Sequence, residues 1–148
     1  MRKISVLVLL AFALAGLVRA QQPPLPAVEL STGMHLIRAE VADSFTTRMH
    51  GLMLREALGA NAGMLFVFEE STQHCMWMKN TLIPLSVAFI DEAGAIVTIL
   101  DMQPHDETSR CATKPARYAL EMNKGWFAQR RIKPGAKLRG LERLRKKD

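Results

Sequence analysis

A mainly β domain, a compact sandwich or small barrel with one or two short helices, is predicted by three features of this sequence. Residues 64–68, 85–90 and 95–100 are short, nearly continuous apolar runs of Val, Ile, Leu, Met, Ala and Phe, the composition of strands buried on both faces. Around residues 37–41 and 118–123, apolar and polar residues alternate with period two, the pattern of a half-buried strand. Turn residues punctuate these runs, with Asp91-Glu92-Ala93-Gly94 before one and Pro134-Gly135 before the chain's end.

Taken in order, Arg2 and Lys3 open the chain with charge, residues 4–18 are apolar, and Val18-Arg19-Ala20 offers a small-residue cleavage site. This is the layout of a secretory signal over residues 1–20. The apolar run is shorter than the roughly 20 residues of a spanning helix, and QQPPLP follows it in place of a basic flank. No membrane span is expected after cleavage, and the protein is expected in the periplasm or outside the cell. Residues 21–27 read as a Pro-rich extended linker, 28–140 as a single β-rich domain, and 141–148 as a basic tail.

Within the domain, Ile37, Ala39 and Val41 alternate with Arg38 and Glu40 in a first strand. Residues 43–55 read as a helix with Phe45, Met49, Leu52 and Met53 on one face, packed as core, and Thr46 or Thr47 as cap; Gly51 weakens it. Residues 64–68, 74–79, 85–90 and 95–100 read as successive strands, the last two joined by a hairpin turn. Residues 101–115 form a polar loop. Tyr118, Leu120 and Met122 alternate with Ala119, Glu121 and Asn123 in a further strand, residues 126–131 form a short helix, and a last strand covers 136–139.

The formal net charge is +6, but Arg2, Lys3 and Arg19 belong to the leader. Much of the remainder crowds the end, at Lys137, Arg139, Arg143, Arg145, Lys146 and Lys147. Such a tail either meets anionic lipid or a polyanion, or is solvated. A modest charge and an export signal argue against a nucleic-acid partner. Cys75 and Cys111 are the two cysteines, and in an oxidising compartment they are expected to form a disulfide. Closing that loop removes unfolded-state entropy equivalent to roughly 3–4 kcal/mol. No Cys-x-x-Cys points to redox use.

The order of the segments RMHGLMLRE, GMLFVF, MWMKNTLIPLSVAFID, IVTILDMQP, KPARYALEMNKG and IKPGAKL resembles the domain-of-unknown-function 192 family, small bacterial and archaeal proteins that are often exported. The resemblance covers residues 41–138, and the Trp-Met-Lys-Asn-Thr string with Gly-Leu-Met makes it specific. It implies a compact, mostly β fold and carries no assigned activity. The family's pattern falls here on Arg48, Gly51, Gly63, Trp77, Lys79, Asn80 and Glu121 among others, whereas His50, His74 and Met76 lie outside it.

Two constellations carry chemistry. Arg48, Trp77, Lys79, Asn80 and Glu121 would make a small concave site for a polar or anionic ligand, with Trp77 as a flat stacking face; Trp77 and Lys79, two apart on a strand, would share one side. The alternative is structural: Lys79 paired with Glu121, Asn80 and Thr81 in a turn before Pro84, and Trp77 in the core. Met49, His50, Met53, His74, Cys75, Met76 and Met78 are soft groups suited to Cu(I), or simply core methionines with surface histidines. A nucleophilic triad drawn from His105, Asp106, Ser109 and Cys111 lacks any Gly-x-Ser-x-Gly elbow. The reading that follows is an exported, non-catalytic binding or interaction module with no cofactor, whose partner is a small polar or anionic ligand or an envelope protein. Periplasmic copper binding and hydrolysis are the alternatives.

Overall fold

The computed structural model describes residues 22–145. The expected leader lies outside them, as do Gln21 and residues 146–148 of the tail. In chain order the elements are β1 (Ala27–Thr32), β2 (His35–Ala42), α1 (Phe45–His50), β3 (Ala62–Thr72), β4 (Cys75–Met76), β5 (Leu85–Ile90), β6 (Ile96–Met102), β7 (Arg110–Cys111), β8 (Ala116–Asn123), α2 (Trp126–Gln129), β9 (Leu138–Arg139) and a 3-10 helix, Leu141–Arg145.

Seven strands form one sheet in the order β6-β5-β8-β3-β2-β1-β9, and β4 pairs with β7 in a separate ribbon. Neighbours run antiparallel except β2 and β3. A parallel pair cannot be joined by a hairpin, so the chain crosses over between them through α1 and residues 51–61. The sheet curls part of the way to a barrel. Ala95 bridges Lys137, and the Ile96 amide donates to the Ala136 carbonyl at 2.9 Å, so the two edges meet at one end. The architecture is mainly β with two short helices, as predicted.

Side-chain alternation on the central strands sorts the core into two faces. One gathers Leu65 from β3, Ala88 and Ile90 from β5, and Leu120 and Met122 from β8 against Leu30, Ile37, Trp126, Phe127 and Leu138. The other gathers Met64 and Phe66, Leu85, Val87 and Phe89, and Ala119 against Leu52, Met78, Met102 and Ala112. Burial on both faces explains why β5 is apolar at every position but Ser86. Ser86 is itself hydrogen-bonded, donating to Asp101 and accepting from the Gly125 amide. Gly63 is required where β3 meets β8: a Cβ there would lie 2.6 Å from the Glu121 carbonyl oxygen and against the Met122 sulfur.

Several local expectations are corrected. The first helix is six residues long rather than thirteen. Ser44, not Thr46 or Thr47, is its N-cap, accepting from the Thr47 amide in a capping box. It stops at Gly51, whose φ of +51° is left-handed. Consequently Phe45 and Met49 face solvent and Leu52 alone of the expected stripe is buried. The segment 74–79 is strand only at Cys75–Met76, because its partner β7 is two residues long. β1, which pairs with β2 along its whole length, went unrecognised as a strand, and β3 runs four residues past the expected end. At the chain's end, the 3-10 helix packs Leu141 and Leu144 on the first face, and Arg143 donates to the Glu29 carbonyl. The linker's Leu25 packs on the second face, its amide donating to Glu40.

Cys75 and Cys111 form the expected disulfide, with Cα atoms 3.9 Å apart as a registered pair across β4 and β7. The ribbon is further tied by the Ala112 amide to the His74 carbonyl and by the Gln73 side chain to the Ala112 carbonyl. It delivers Met76 and Trp77 to the second face. Among the described residues, no helix is long and apolar enough to cross a membrane.

Candidate functional site

Over the second face, α1, the segment after it, and the turn 77–81 enclose a cavity of about 20 Å³ whose floor is Glu121 on β8. That is room for about one water-sized group. Its walls are Arg48, Met49, His50, Leu52, Met53, Phe66, Met76, Trp77, Lys79 and Thr81. Four of the five residues predicted as a binding set therefore converge here. The fifth, Asn80, stands in the turn beside the cavity rather than in its wall.

The turn is held from three sides. The Met78 amide donates to the Asp106 carbonyl at 2.8 Å, the His105 amide to the Thr81 carbonyl at 3.2 Å, and the Leu54 amide to the Asn80 carbonyl at 2.9 Å. Asn80 and Leu54 are both left-handed, with φ of +52° and +61°. Asn tolerates that conformation; for Leu it is strained, and such strain persists only where the surroundings impose it. This contact clamps the segment after α1 onto the turn, so Asn80 acts through its backbone. Trp77 and Lys79 leave a turn rather than a strand, yet both reach the cavity, with the Lys79 ammonium 5.3 Å from the Trp77 ring centroid, in cation–π range.

Electrostatically the site is unbalanced. Glu121 is 3% exposed, and among the described residues its carboxyl makes no hydrogen bond and no ion pair. Burial pushes its pKa up to about 8, so at neutral pH it is a neutral acid with one proton to donate. The Lys79–Glu121 pair of the structural alternative is not made, and among the described residues Lys79 has no acidic partner. Arg48 is committed elsewhere: its guanidinium pairs with Glu69 at 3.1 Å and donates to the Asp43 and Val67 carbonyls, strapping α1 to β3.

The sulfur and imidazole groups divide. Met49, His50, Met53 and Met76 line the same cavity, a convergence that period-based reading missed because it assigned the methionines to core. Met78 is core, Cys75 is oxidised, and His74 stacks on Phe68 with centroids 3.7 Å apart. Among the described residues, no three His, Cys, Asp or Glu side chains are grouped to hold a metal ion. The paper triad does not assemble either. The Asp106 carboxylate accepts from the Thr108 amide and from Arg110, contacts that lower its pKa, and the Cys111 sulfur is in the disulfide. A larger cavity of about 560 Å³ lies between residues 25–29 and Arg143-Leu144. Its walls combine the two ends of the described chain with Val41 of β2, Val67 of β3 and, between them, Asp43 and Thr47.

The chain is similar to the structure of a Sinorhizobium meliloti 1021 protein provisionally named a transcription regulator, with 32% identity and a TM-score of 0.78 over 82% of this chain and 98% of that one. It is similar as well to a protein of unknown function from Novosphingobium aromaticivorans DSM 12444, with 34% identity and a TM-score of 0.74 over 77% of this chain and 85% of the other. A comparison with curated proteins returns no match. The sequence profile of DUF192, described as Uncharacterized ACR, COG1430, matches residues 28–140, which span the sheet, the ribbon and the cavity, and the chain therefore belongs to that family.

Proposed function

We propose that this protein is an exported binding module that takes a small polar or anionic end group into the Glu121 cavity. The observation that carries the reading is a carboxyl group buried on a central strand and, among the described residues, without a partner, facing a pocket one group wide beside an ammonium that pairs with none of their acids. Such a carboxyl is costly: at neutral pH folding must keep it protonated against its ordinary acidity. A scaffold has no use for that cost, since an apolar residue between Ala119 and Asn123 would pack with none. A binding site does, because the neutral acid donates one hydrogen bond while Lys79 supplies positive charge and Trp77 a flat wall.

Soft-metal binding is less well supported, although four thioether or imidazole side chains line the cavity, because the Lys79 ammonium stands in the same wall and repels a metal ion. The provisional name of the Sinorhizobium protein gives no reason to expect DNA here, since helices of six and four residues offer no recognition helix for a major groove.

The test is a titration of the purified protein with acetate, phosphate, sulfate and the neutral amide acetamide, followed by NMR at the Trp77 indole and the amides of residues 48–53 and 77–81. At least one probe should give saturable shifts that Lys79→Ala removes without changing the melting temperature. Saturation by none of them, or by Cu(I) alone, overturns the proposal.

A further inference from the structure

The apolar side chains left in water are not spread evenly. Among the described residues the exposed large hydrophobics are Met34, Leu36, Phe45, Met49 and Trp77. The first two belong to the β1–β2 hairpin. The other three sit at the cavity: Met49 and Trp77 are in its wall, and Phe45 lies one turn before Met49 on the same side of α1. Phe45 is 72% and Met49 47% exposed, unusual for a helix whose sequence has the spacing of a buried stripe, and Trp77 beside them is 39% exposed. Together they make an apolar track that starts at the cavity mouth and runs about 6 Å along α1. At its inner end are a buried acid with no partner and a lysine with no acid.

We propose that the ligand is an amphipathic monocarboxylate, one carboxylate oxygen entering the cavity toward Glu121, the other held at the rim beside Lys79, and its alkyl body laid along Trp77, Met49 and Phe45. This rests on the reading of the cavity as a site for an anionic end group. The cavity holds one small group and excludes the rest of any larger molecule, so the remainder of the ligand must lie over the rim, and the rim is apolar. A positive end group is disfavoured by Lys79 and Arg48. A neutral Glu121 donates its proton in a hydrogen bond to the incoming carboxylate. Once ionised, it repels that carboxylate, so binding fades as pH rises through about 8. The other charged or titratable groups around the cavity are Arg48 and His50 from α1 and Lys79 from the turn; β3 and β5, which flank β8, place Met64 and Val87 opposite Glu121.

The experiment is a calorimetric titration of the purified protein at pH 7 with the sodium salts of acetic, butanoic, hexanoic and octanoic acids, with octylammonium chloride as control. Affinity should rise about fourfold per added methylene, levelling near six to eight carbons where the track ends. Phe45→Ala should flatten that rise while leaving the short acids unchanged. Raising the pH from 7 to 9 should weaken octanoate about tenfold in the native protein and little in Glu121→Gln, whose amide donates without ionising. If the short acids bind and length adds nothing, or octylammonium binds as well as octanoate, the amphipathic proposal falls while the anion site stands. If no acid of any length binds, both fall.

Discussion

The two faces of the sheet are built from alternate residues of the same strands, yet they end differently. On the Leu65–Leu120 face the cover is the four-residue α2, the two-residue β9 and the 3-10 helix; the Thr32 hydroxyl beside Leu30 is buried without a hydrogen-bond partner, but the Trp126 indole is satisfied. The Trp126 indole N–H donates to Asn61 at 3.1 Å, with Arg130 stacked 4.3 Å from its ring. On the Phe66–Ala119 face the cover is a six-residue helix, a two-residue ribbon and a strained turn, and beneath them Glu121 is left alone. The first face leaves one neutral hydroxyl unsatisfied. The second keeps a nearly buried carboxyl group, a left-handed Leu54 and an exposed Phe45, each of which costs stability, and they surround one cavity.

That contrast can be broken at several points. Among substitutions, the largest loss is expected on the Leu65–Leu120 face: Phe127→Ala should cost about 3–5 kcal/mol, measured as a fall in the urea midpoint. A loss under about 1 kcal/mol would mean that this face is not where stability resides. Cys75→Ser with Cys111→Ser should cost about 3 kcal/mol by loop-closure entropy, and hydrogen exchange should speed up in residues 73–81 well before the central strands. Uniform loosening would show that the ribbon is not a separate unit.

Glu121 gives a pH signature. Its pKa is raised in the folded state, so the folded protein holds a proton that the unfolded chain releases near pH 4.5, and stability falls as pH rises from there to about 8. The decline should be on the order of 4–5 kcal/mol, and Glu121→Gln should remove it. A Glu121→Gln protein that keeps the full slope would place the titrating group elsewhere. Gly63→Ala should cost about 2 kcal/mol, since the Met122 side chain can swing aside but the Glu121 carbonyl cannot. The smallest effect belongs to Lys79→Ala: within about 0.5 kcal/mol of the parent, because no ion pair is lost. A larger loss would make Lys79 part of the scaffold.

Much of the fold was legible because its signals are local. The runs at 64–68, 85–90 and 95–100, the turn at 91–94 and the alternation at 118–123 are periodicities a few residues long, and each became a strand or turn near the expected place. What failed was reading burial from period. Phe45, Met49 and Met53 have core spacing, but Gly51 ends the helix before the stripe can dock. Likewise 74–79 has strand character, but nothing of matching length lies beside it. Of the site, Arg48, Trp77, Lys79 and Glu121 were legible through a shared motif. That the methionines join them was not, since their approach depends on the crossover from β2 to β3.

By itself the sequence determined the β character, the cysteine pair and the family, because hydrophobic period, residue count and motif order are properties of neighbours along a chain. Only the tertiary structure decided that, among the described residues, Glu121 has no partner and Lys79 pairs with no acid, and that Phe45 and Met49 stay wet. Pairing and exposure depend on which distant strands stand side by side, and that is set by the order of the whole sheet.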